Sequence, residues 1–266
     1  MKTKPSKLWV VVSDTHFPET HWPTWYAILD FIKRNKRQIE GVLLLGDEFH
    51  NECISPYTKG KPLLRKPGSY LKETADFDRQ ILHPLEKALS KKAQRVVITG
   101  NHTAWETTFI EENPQFAGIE RFKELKLAER GWKIVPIGRE FRIGKLCCIH
   151  GDGLITGFAP ACPARKAVDV YACSVLMGHT HSPQSFTRVS PVDAAQTWMG
   201  YVSPICGDTN PYYQRNRPNA YANGLTLIEV RSNGNFNCYL CITDRRTGEF
   251  SYGGQTYSGQ RIPGHH

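Results

Sequence analysis

The chain has 266 residues, of which 34 are Lys or Arg and 25 are Asp or Glu, so its formal charge is +9 at pH 7. Hydrophobic residues make up 40% of the sequence and charged residues 22%, a balance that allows a sizeable core and excludes collagen, coiled-coil and disordered proteins. The apolar run over residues 8–12 is too short for the core of a signal peptide, and no segment approaches the roughly 20 apolar residues of a membrane helix. We therefore expect a soluble, cytoplasmic protein with no membrane partner.

Short apolar runs recur along the first two thirds of the chain, with helical patterns between several of them. The runs cover residues 8–13, 42–45, 96–99, 145–149 and 174–177. They are continuously apolar rather than alternating, which is typical of strands buried on both faces. Pro23 and the apolar residues behind it at helical spacing predict a helix between the first two runs, and similar patterns predict helices over 71–89 and 119–129. Alternating strands and helices indicate an α/β sheet.

The last part of the chain is strand-rich instead. Residues 140–143 and 145–149 predict a hairpin, and residues 224–230 and 236–243 predict two more strands joined by a turn. A second, more antiparallel sheet is expected in the same domain. We assign residues 1–250 to one domain and expect the Gly-, Ser- and Gln-rich tail over 251–266 to be loosely ordered.

Eight cysteines are spread along the chain. Cys238 and Cys241 have the spacing of half a zinc site, but they lie in a strand-like run, where side chains three positions apart face opposite ways. No second pair lies nearby in the sequence. We interpret the cysteines as core thiols of a protein from a reducing compartment.

Each of the five apolar runs ends in residue types that bind metal ions. In chain order the runs lead into Asp14-Thr15-His16, Gly46-Asp47, Gly100-Asn101-His102, His150-Gly151-Asp152 and Gly178-His179-Thr180-His181. The carboxyl ends of strands in an open α/β sheet form the crevice where ligands bind, so these groups are expected to converge. Carboxylate, imidazole and amide ligands suit Mn²⁺, Fe, Co, Ni or Zn rather than Ca²⁺. Seven such groups are too many for one ion, so we predict two ions that share a bridging carboxylate.

Local spacing supports the same site. Asp14 and His16 are two residues apart and would point the same way if the backbone there is extended, and His179 and His181 repeat this spacing. Glycines stand before several of these residues, where a missing side chain lets the backbone bend sharply and approach the site.

The ordered set of motifs resembles the calcineurin-like metallophosphoesterases, whose pattern is Asp-x-His, Gly-Asp-x-x-(Asp/His), Gly-Asn-His-(Asp/Glu), a lone His and Gly-His-x-His. The second motif reads Gly46-Asp47-Glu48-Phe49-His50 in this chain. The resemblance covers about residues 8–181 and, through the strands that follow, extends to about 245. It implies a single-domain, four-layer αββα sandwich with mixed β-sheets.

The resemblance also implies a division of roles. One metal ion would be held by Asp14, His16 and His181, the other by Asn101, His150 and His179, with Asp47 bridging both. A hydroxide bridging the ions would attack phosphorus, and His102 would be a catalytic residue beside the reacting phosphate. Two divalent transition-metal ions are expected as cofactors, Mn²⁺ first, with Fe, Ni, Co or Zn as alternatives.

Two departures from the family pattern bear on the activity. Thr103 stands where the family has Asp or Glu, so His102 lacks the carboxylate that would orient it and raise its pKa. We therefore expect substrates with good leaving groups to react better than those with poor ones. The Asp-Arg-Gly that follows the second motif in Ser/Thr protein phosphatases is also missing, which argues against an enzyme of that type.

Two loops carry candidate substrate-binding residues. The loop over 51–70 contains Lys59 and Arg65, and the loop over 207–222 contains Tyr212, Arg215 and Arg217. Arginine with interleaved tyrosine can pair with phosphates and stack on bases, although the tyrosines could instead fix their loops to the body of the protein.

These residues and the basic charge favour a phosphodiesterase, a nuclease or an enzyme of nucleotides, with nucleic acid as a possible partner. The alternatives are a phosphomonoesterase of small substrates and, with less support, a non-catalytic binding scaffold. The sequence leaves the oligomeric state open.

Overall fold

A computed structural model of the protein describes residues 6–61, 70–154, 162–193, 195–211, 214 and 216–259. The strands among these residues are β1 Lys7–Val12, β2 Ile39–Leu44, β3 Gln94–Ile98, β4 Trp132–Val135, β5 Phe141–Ile143, β6 Leu146–Ile149, β7 Val175–Met177, β8 Gln184–Val189, β9 Thr197–Val202, β10 Gly224–Val230, β11 Phe236–Ile242, β12 Phe250–Tyr252 and β13 Gln255–Tyr257. The α-helices are α1 Trp22–Arg34, α2 Tyr70–Phe77, α3 His83–Ala88, α4 Asn101–Glu112, α5 Arg121–Glu124 and α6 Pro163–Tyr171.

Two mixed sheets form the centre of the molecule. The first has the strand order β11-β10-β1-β2-β3-β4, in which β1 to β4 are parallel and β10 is antiparallel to both of its neighbours, β1 and β11. The second has the order β5-β6-β7-β9-β8, with a parallel centre and antiparallel edges. Both sheets therefore present parallel strand ends on one side, which is where ligands bind in this kind of architecture.

Alternation along β1 explains why the sheets are buried on both faces. Leu8, Val10 and Val12 pack into the core under α1 and α3, whereas Trp9 and Val11 pack into the core between the two sheets. Neighbouring residues of a strand point to opposite faces, so a continuous apolar run serves two cores at once.

Helix α6 completes the layering on the far side of the second sheet. Ala164 and Ala167 of this helix pack against Cys147, Val175 and Val202 on the outer face of the sheet. The order of layers is thus helices, first sheet, second sheet, helix. The predicted αββα sandwich with mixed sheets in one domain is confirmed.

All five predicted strands are present, with bounds shifted by at most three residues, and both predicted hairpins form. The helix expected over 71–89 is α2 and α3 joined by the π-helical turn Asp78–Leu82. Pro84 follows this turn and has no N–H to donate, and the carbonyl of Gln80, four residues earlier, accepts from Nε1 of Trp25 at 3.3 Å. The helix expected over 119–129 shortens to α5. Cys238 and Cys241 contact different cores, as their strand position predicts.

The expectation of a loosely ordered tail over 251–266 was wrong for its first part. Strands β12 and β13 form a hairpin whose turn is Gly253-Gly254, with φ of 60° and 74°. Phe250 and Tyr257 are buried, and the Tyr257 ring lies 4.8 Å from the ring of Phe31 on α1. The glycines supply a tight turn rather than disorder, and the aromatic residues around them cover α1. Residues 260–266 lie outside the described residues.

Candidate metal centre

The residues predicted to bind metal ions lie together at the carboxyl ends of strands from both sheets. Asp14, Asp47 and Asn101 follow β1, β2 and β3 of the first sheet. His150 and the Gly178-His179-Thr180-His181 segment follow β6 and β7 of the second sheet. The site therefore spans the junction of the two sheets, and each motif reaches it because its strand ends there.

We had expected extended backbone at these residues, and the structure shows a different conformation. Left-handed conformations occur at Asp14 with φ 51°, His16 with φ 46°, Asp47 with φ 50°, His179 with φ 65° and His181 with φ 60°. Non-glycine residues adopt this region rarely, at a cost of about 1–3 kcal/mol each, and they concentrate at functional sites. Backbone hydrogen bonds hold the strained loops together: the N–H groups of Asp14 and His16 donate to the carbonyls of Gly46 and Asp47 at 3.1 and 2.9 Å.

Two glycines are required by close packing around the site. A Cβ at Gly100 would overlap the carboxylate and the backbone nitrogen of Asp47, and a Cβ at Gly46 would overlap the ring of His150. Gly46 also has φ 97°, which only glycine adopts readily. The ligand residues consequently approach one another more closely than side chains at these positions would permit.

The first cluster consists of Asp14, His16 and His181. Nε2 of His181 lies 3.2 Å from Oδ1 of Asp14 and 3.1 Å from Nε2 of His16. All three residues are buried, and the Nδ1 atoms of both histidines find no hydrogen-bond partner among the described residues. Asp14 also accepts hydrogen bonds from the Ser13 hydroxyl and from the backbone N–H of His179, at 3.1 Å for the latter.

The second cluster consists of Asp47, His150 and His179, with Asn101 beside them. Nε2 of His150 lies 3.2 Å from Oδ2 of Asp47 and 3.1 Å from Oδ1 of Asn101. Asp47, His150 and His179 each offer one ligand atom, and these three atoms lie within 4.8 Å of one another. Nδ1 of His150 is 2.8 Å from the carbonyl of Leu45, which fixes the tautomer that presents Nε2 to the cluster.

Burial and mutual charges strongly perturb the pKa values of these groups. Burial would raise the pKa of Asp14, but the hydrogen bond and charge of His181 hold it well below its usual range. Burial would lower the pKa of His150, but the charge and hydrogen bond of Asp47, with the charge of Asp14 and the carbonyl of Leu45, together outweigh burial and raise it to about 10. Burial lowers the pKa values of His16 and His179.

The charge balance fits metal ions well. Two buried carboxylates require positive charge nearby, and the lowered pKa values of His16 and His179 favour the neutral imidazole that a metal ion needs. Carboxylate oxygens, imidazole nitrogens and one amide oxygen form a donor set suited to divalent transition-metal ions. The residues present therefore fit a centre with two metal ions.

His102 lies beside the ligand clusters at the start of α4. Its Nε2 is 3.9 Å from Oδ2 of Asp47, and its backbone N–H donates to Oδ1 of Asp47 at 2.9 Å. Its Nδ1 is 2.7 Å from the carbonyl of His50, and burial lowers its pKa. The neighbouring Thr103 is buried, and its hydroxyl has no partner among the described residues. A backbone carbonyl thus orients the His102 ring in place of a carboxylate, and burial lowers the pKa of His102 by more than the charge of Asp47 and this hydrogen bond raise it.

A buried arginine reinforces this side of the site. The side-chain amide of Asn51 donates to the carbonyl of His102 at 2.8 Å, and its oxygen accepts from Nε of Arg121 at 2.8 Å. Arg121 is fully buried and also pairs with Glu73 at 2.9 Å and with Glu106 at 3.5 Å. One guanidinium on α5 therefore links α2, α4 and Asn51, and Asn51 in turn bonds to His102. Sequence reasoning missed Asn51 and Arg121, since neither lies in a motif.

His50 is a further residue at the site whose role the sequence left undecided. Its ring lies 5.7 Å from that of His16 and 5.6 Å from that of His102, and its Nε2 is 3.9 Å from the buried carboxylate of Glu52. His16, His50 and His102 each offer one ring nitrogen, and these three nitrogens lie within 4.8 Å of one another. The signal for His50 was its place as the last residue of the Gly-Asp-x-x-(Asp/His) motif.

The residues predicted to bind substrate are less well placed. Lys59 is exposed and pairs with Glu112 of α4 at 2.7 Å. Arg217 is exposed in the 207–222 loop, and Arg65, Tyr212 and Arg215 lie outside the described residues. The same loop does reach the centre, because the ring of Tyr221 lies 4.8 Å from that of His181.

A comparison with protein families matches residues 9–183, more than half of the chain, to the model described as calcineurin-like phosphoesterase. No curated protein matches the sequence. Among the described residues, none of the helices combines the length and apolar character needed to cross a membrane.

Similar solved structures include vacuolar protein sorting 29 from Cryptosporidium parvum, at 13% identity and a TM-score of 0.45 over 96% of both chains. A predicted phosphoesterase from Streptococcus pneumoniae TIGR4 has 14% identity and a TM-score of 0.42, over 96% of this chain and 99% of that one. The nuclease MPE from Pseudomonas putida has 16% identity and a TM-score of 0.34 over 87% of both chains. These similarities are too remote to indicate a substrate.

Proposed function

The chain belongs to the calcineurin-like phosphoesterase family, and from this premise we propose that it is a hydrolase of phosphoester bonds with a dinuclear metal centre. The observation that carries the proposal is the convergence of two buried ligand clusters, one around Asp14 and one around Asp47, at the ends of strands from two sheets. A phosphoester needs positive charge around its oxygens in the transition state, and two adjacent divalent ions meet that need.

Each cluster would hold one ion. Asp14, His16 and His181 would hold the first, Asn101, His150 and His179 the second, and Asp47 would bridge them, because its carboxylate lies beside His150 while its loop is bonded to that of His16. When bound, the two ions would supply a hydroxide nucleophile near neutral pH and neutralise charge on the phosphoryl oxygens. We propose Mn²⁺ as the ion, with Fe, Ni, Co and Zn as alternatives that the same donors accept.

His102 would act on the leaving group. Because its Nδ1 faces the His50 carbonyl at 2.7 Å, Nε2 is the atom left to face the substrate. In its protonated form this nitrogen would donate a proton to the leaving oxygen. Burial lowers the pKa of His102, which reduces the protonated fraction at neutral pH and favours substrates whose leaving groups need little help.

We further propose phosphodiesters of nucleic acids or nucleotides as the substrate class. The formal charge of +9 supports an anionic substrate, and the exposed Arg217 is available to a phosphate chain, as is the exposed Lys59 once it exchanges its partner Glu112. The buried free thiols Cys147, Cys148 and Cys206 support a reducing, cytoplasmic environment. A phosphomonoesterase remains the alternative, since nothing in the ligand set distinguishes mono- from diesters.

The test compares Mn²⁺-dependent hydrolysis of bis-p-nitrophenyl phosphate with that of p-nitrophenyl phosphate, with Asp47→Asn as the control for contaminating activity. Faster cleavage of the diester, lost in the variant, is the expected result. Faster cleavage of the monoester would move the protein to the phosphatase branch. No activity on either, together with fewer than about two transition ions per chain by elemental analysis, would overturn the proposal and leave a binding scaffold.

A further inference from the structure

An aromatic stack extends outward from His102 along α4. The rings of His102 and Trp105 are stacked, with centroids 3.9 Å apart and planes 28° apart. The ring of Tyr57 meets Trp105 edge-on at 5.7 Å. Residues three apart on a helix share a face, so Trp105 continues the surface of the candidate site by one helical turn.

A small cavity opens next to Trp105. Its volume is about 220 Å³, and its apolar walls are Trp105 and Phe109 of α4 and Ile54 and Pro56 of the facing loop. Pockets for drug-sized ligands are larger, about 300–1,000 Å³. A single flat ring system therefore suits this cavity better than a larger molecule does.

The rim of the cavity is polar. Ser55, Thr108 and Asn113 line it together with Lys59 and Glu112, which form an exposed ion pair across it. Hydroxyl and amide groups can bond to the edge of a heterocycle, whereas a purely apolar ligand would leave them without ligand partners.

The neighbouring loop adds positive charge. Tyr57 is 72% exposed, so its ring is available to a ligand, and the exposed Lys61 donates to the Tyr57 carbonyl at 3.0 Å. Ammonium groups beside an open aromatic ring suit a ligand that has both a ring and phosphate groups.

We propose that Trp105 and Tyr57 form a subsite for one nucleobase of a nucleotide-type substrate whose phosphate lies at the metal centre. The inference rests on the proposed function and refines it, because it states which part of the chain would distinguish a nucleotide from another phosphoester. Base stacking on aromatic side chains tolerates every base, so the subsite predicts nucleotide recognition without strong base preference.

The experiment compares two inhibitors that differ only in the base. AMP and ribose 5-phosphate are tested against Mn²⁺-dependent hydrolysis of bis-p-nitrophenyl phosphate, and their inhibition constants are compared. We expect AMP to inhibit at least about fivefold more tightly, the lower end of the range for one stacked base. Equal inhibition by both compounds would overturn the subsite and leave the proposed hydrolase intact.

Variants then locate the effect. Tyr57→Ala and Trp105→Ala are expected to bring the ratio of the two inhibition constants close to one, whereas Tyr57→Phe keeps the ring and is expected to keep the ratio. Tyr239→Ala is the matched control, since Tyr239 is also an exposed tyrosine but lies on β11. A ratio unchanged in both alanine variants would place the base elsewhere and contradict the assignment.

Failure of the proposed function gives a different result. If the wild-type protein hydrolyses no phosphoester, the same two compounds are titrated calorimetrically with Mn²⁺ present. Tighter binding of AMP that is lost in Tyr57→Ala would support the subsite without the enzyme. Equal binding of both compounds would reject the subsite as well.

Discussion

The two sides of the candidate site are built in different ways. The metal-ligand side consists of strand ends with left-handed backbone, held by backbone hydrogen bonds between neighbouring loops and by the close packing at Gly46 and Gly100. The His102 side consists of a helix and two loops, held at long range by Asn51 and the buried Arg121. The comparison teaches that the first side depends on backbone geometry at and between the motifs, whereas the second depends on a network of polar side chains outside them.

The largest expected effect concerns the backbone of the metal-ligand side. Gly100→Ala would drive a Cβ into the carboxylate and backbone of Asp47, and neither can move without disturbing the bridge between the two clusters. We expect bound metal to fall from two ions toward none. We expect kcat to fall by roughly a thousandfold, because bound metal ions stabilise the charge of the transition state by several kcal/mol. Elemental analysis and steady-state kinetics measure both.

The matched control for this change is Gly153→Ala. A Cβ at Gly153 would meet no heavy atom within 4 Å, and no left-handed φ is recorded there. This variant is expected to keep its metal and its activity. Equal losses in both variants would show that the region tolerates no added methyl group, whatever its distance from Asp47.

The second prediction tests the network of the other side. Arg121→Met removes a fully buried cation and leaves Glu106 buried without its charge partner. Breaking a buried ion pair in this way costs about 3–5 kcal/mol, so we expect the free energy of unfolding in urea to fall by that amount. Arg79→Met is the control, because Arg79 is largely exposed and its pair with Asp76 contributes at most about 1 kcal/mol. Similar losses for both substitutions would contradict a buried network.

The third prediction separates the two sides functionally. His102→Ala keeps the backbone N–H that donates to Asp47 and removes only the ring. We expect two bound metal ions as in the wild type, with kcat lower by about a hundredfold, as for the loss of one general acid. The loss should grow as the pKa of the leaving group rises. A uniform loss across a series of aryl phosphate diesters would contradict a role in protonating the leaving oxygen.

The smallest expected effect separates the contribution of the Asn51 side chain to stability from that of its backbone conformation. This residue has φ 55°, and its amide bonds to both His102 and Arg121. Asn51→Gly removes the side-chain amide, but glycine still adopts the left-handed conformation readily. Asn51→Ala removes the amide and also disfavours that conformation. Alanine should therefore be less stable than glycine by about 1 kcal/mol in thermal unfolding. Equal stability would mean that the loop relaxes out of the left-handed region.

The metal-ligand side was largely predictable because its information is local. Each ligand follows a continuously apolar strand, and the parallel topology brings strand ends together whatever lies between them. The backbone conformation was not predictable from spacing: extended geometry was the simplest expectation for Asp14 and His16. Their left-handed turns depend on hydrogen bonds that they donate to the carbonyls of Gly46 and Asp47, after β2. Those bonds join residues more than 30 positions apart.

The His102 side was harder to predict for a physical reason. The buried residues of α4 are Thr103 and Glu106, so its inward face is polar and carries no apolar period that would reveal a helix. Arg121 lies in no motif, so nothing in the sequence indicated its burial. A charged residue is buried only when specific partners surround it, and those partners come from several separate segments.

The place of β1 in the first sheet has a consequence for translation. Its neighbour β10 pairs residues 7–11 with residues 226–230, and the outer surface of α1 is covered by the hairpin at 250–257. A nascent chain must therefore be synthesised past β10, residues 224–230, before its first strand gains its second neighbour. Until then β1 presents an open edge to which other chains can pair. Ribosomes stalled ahead of residue 224 should hold a product prone to aggregation rather than a smaller folded protein.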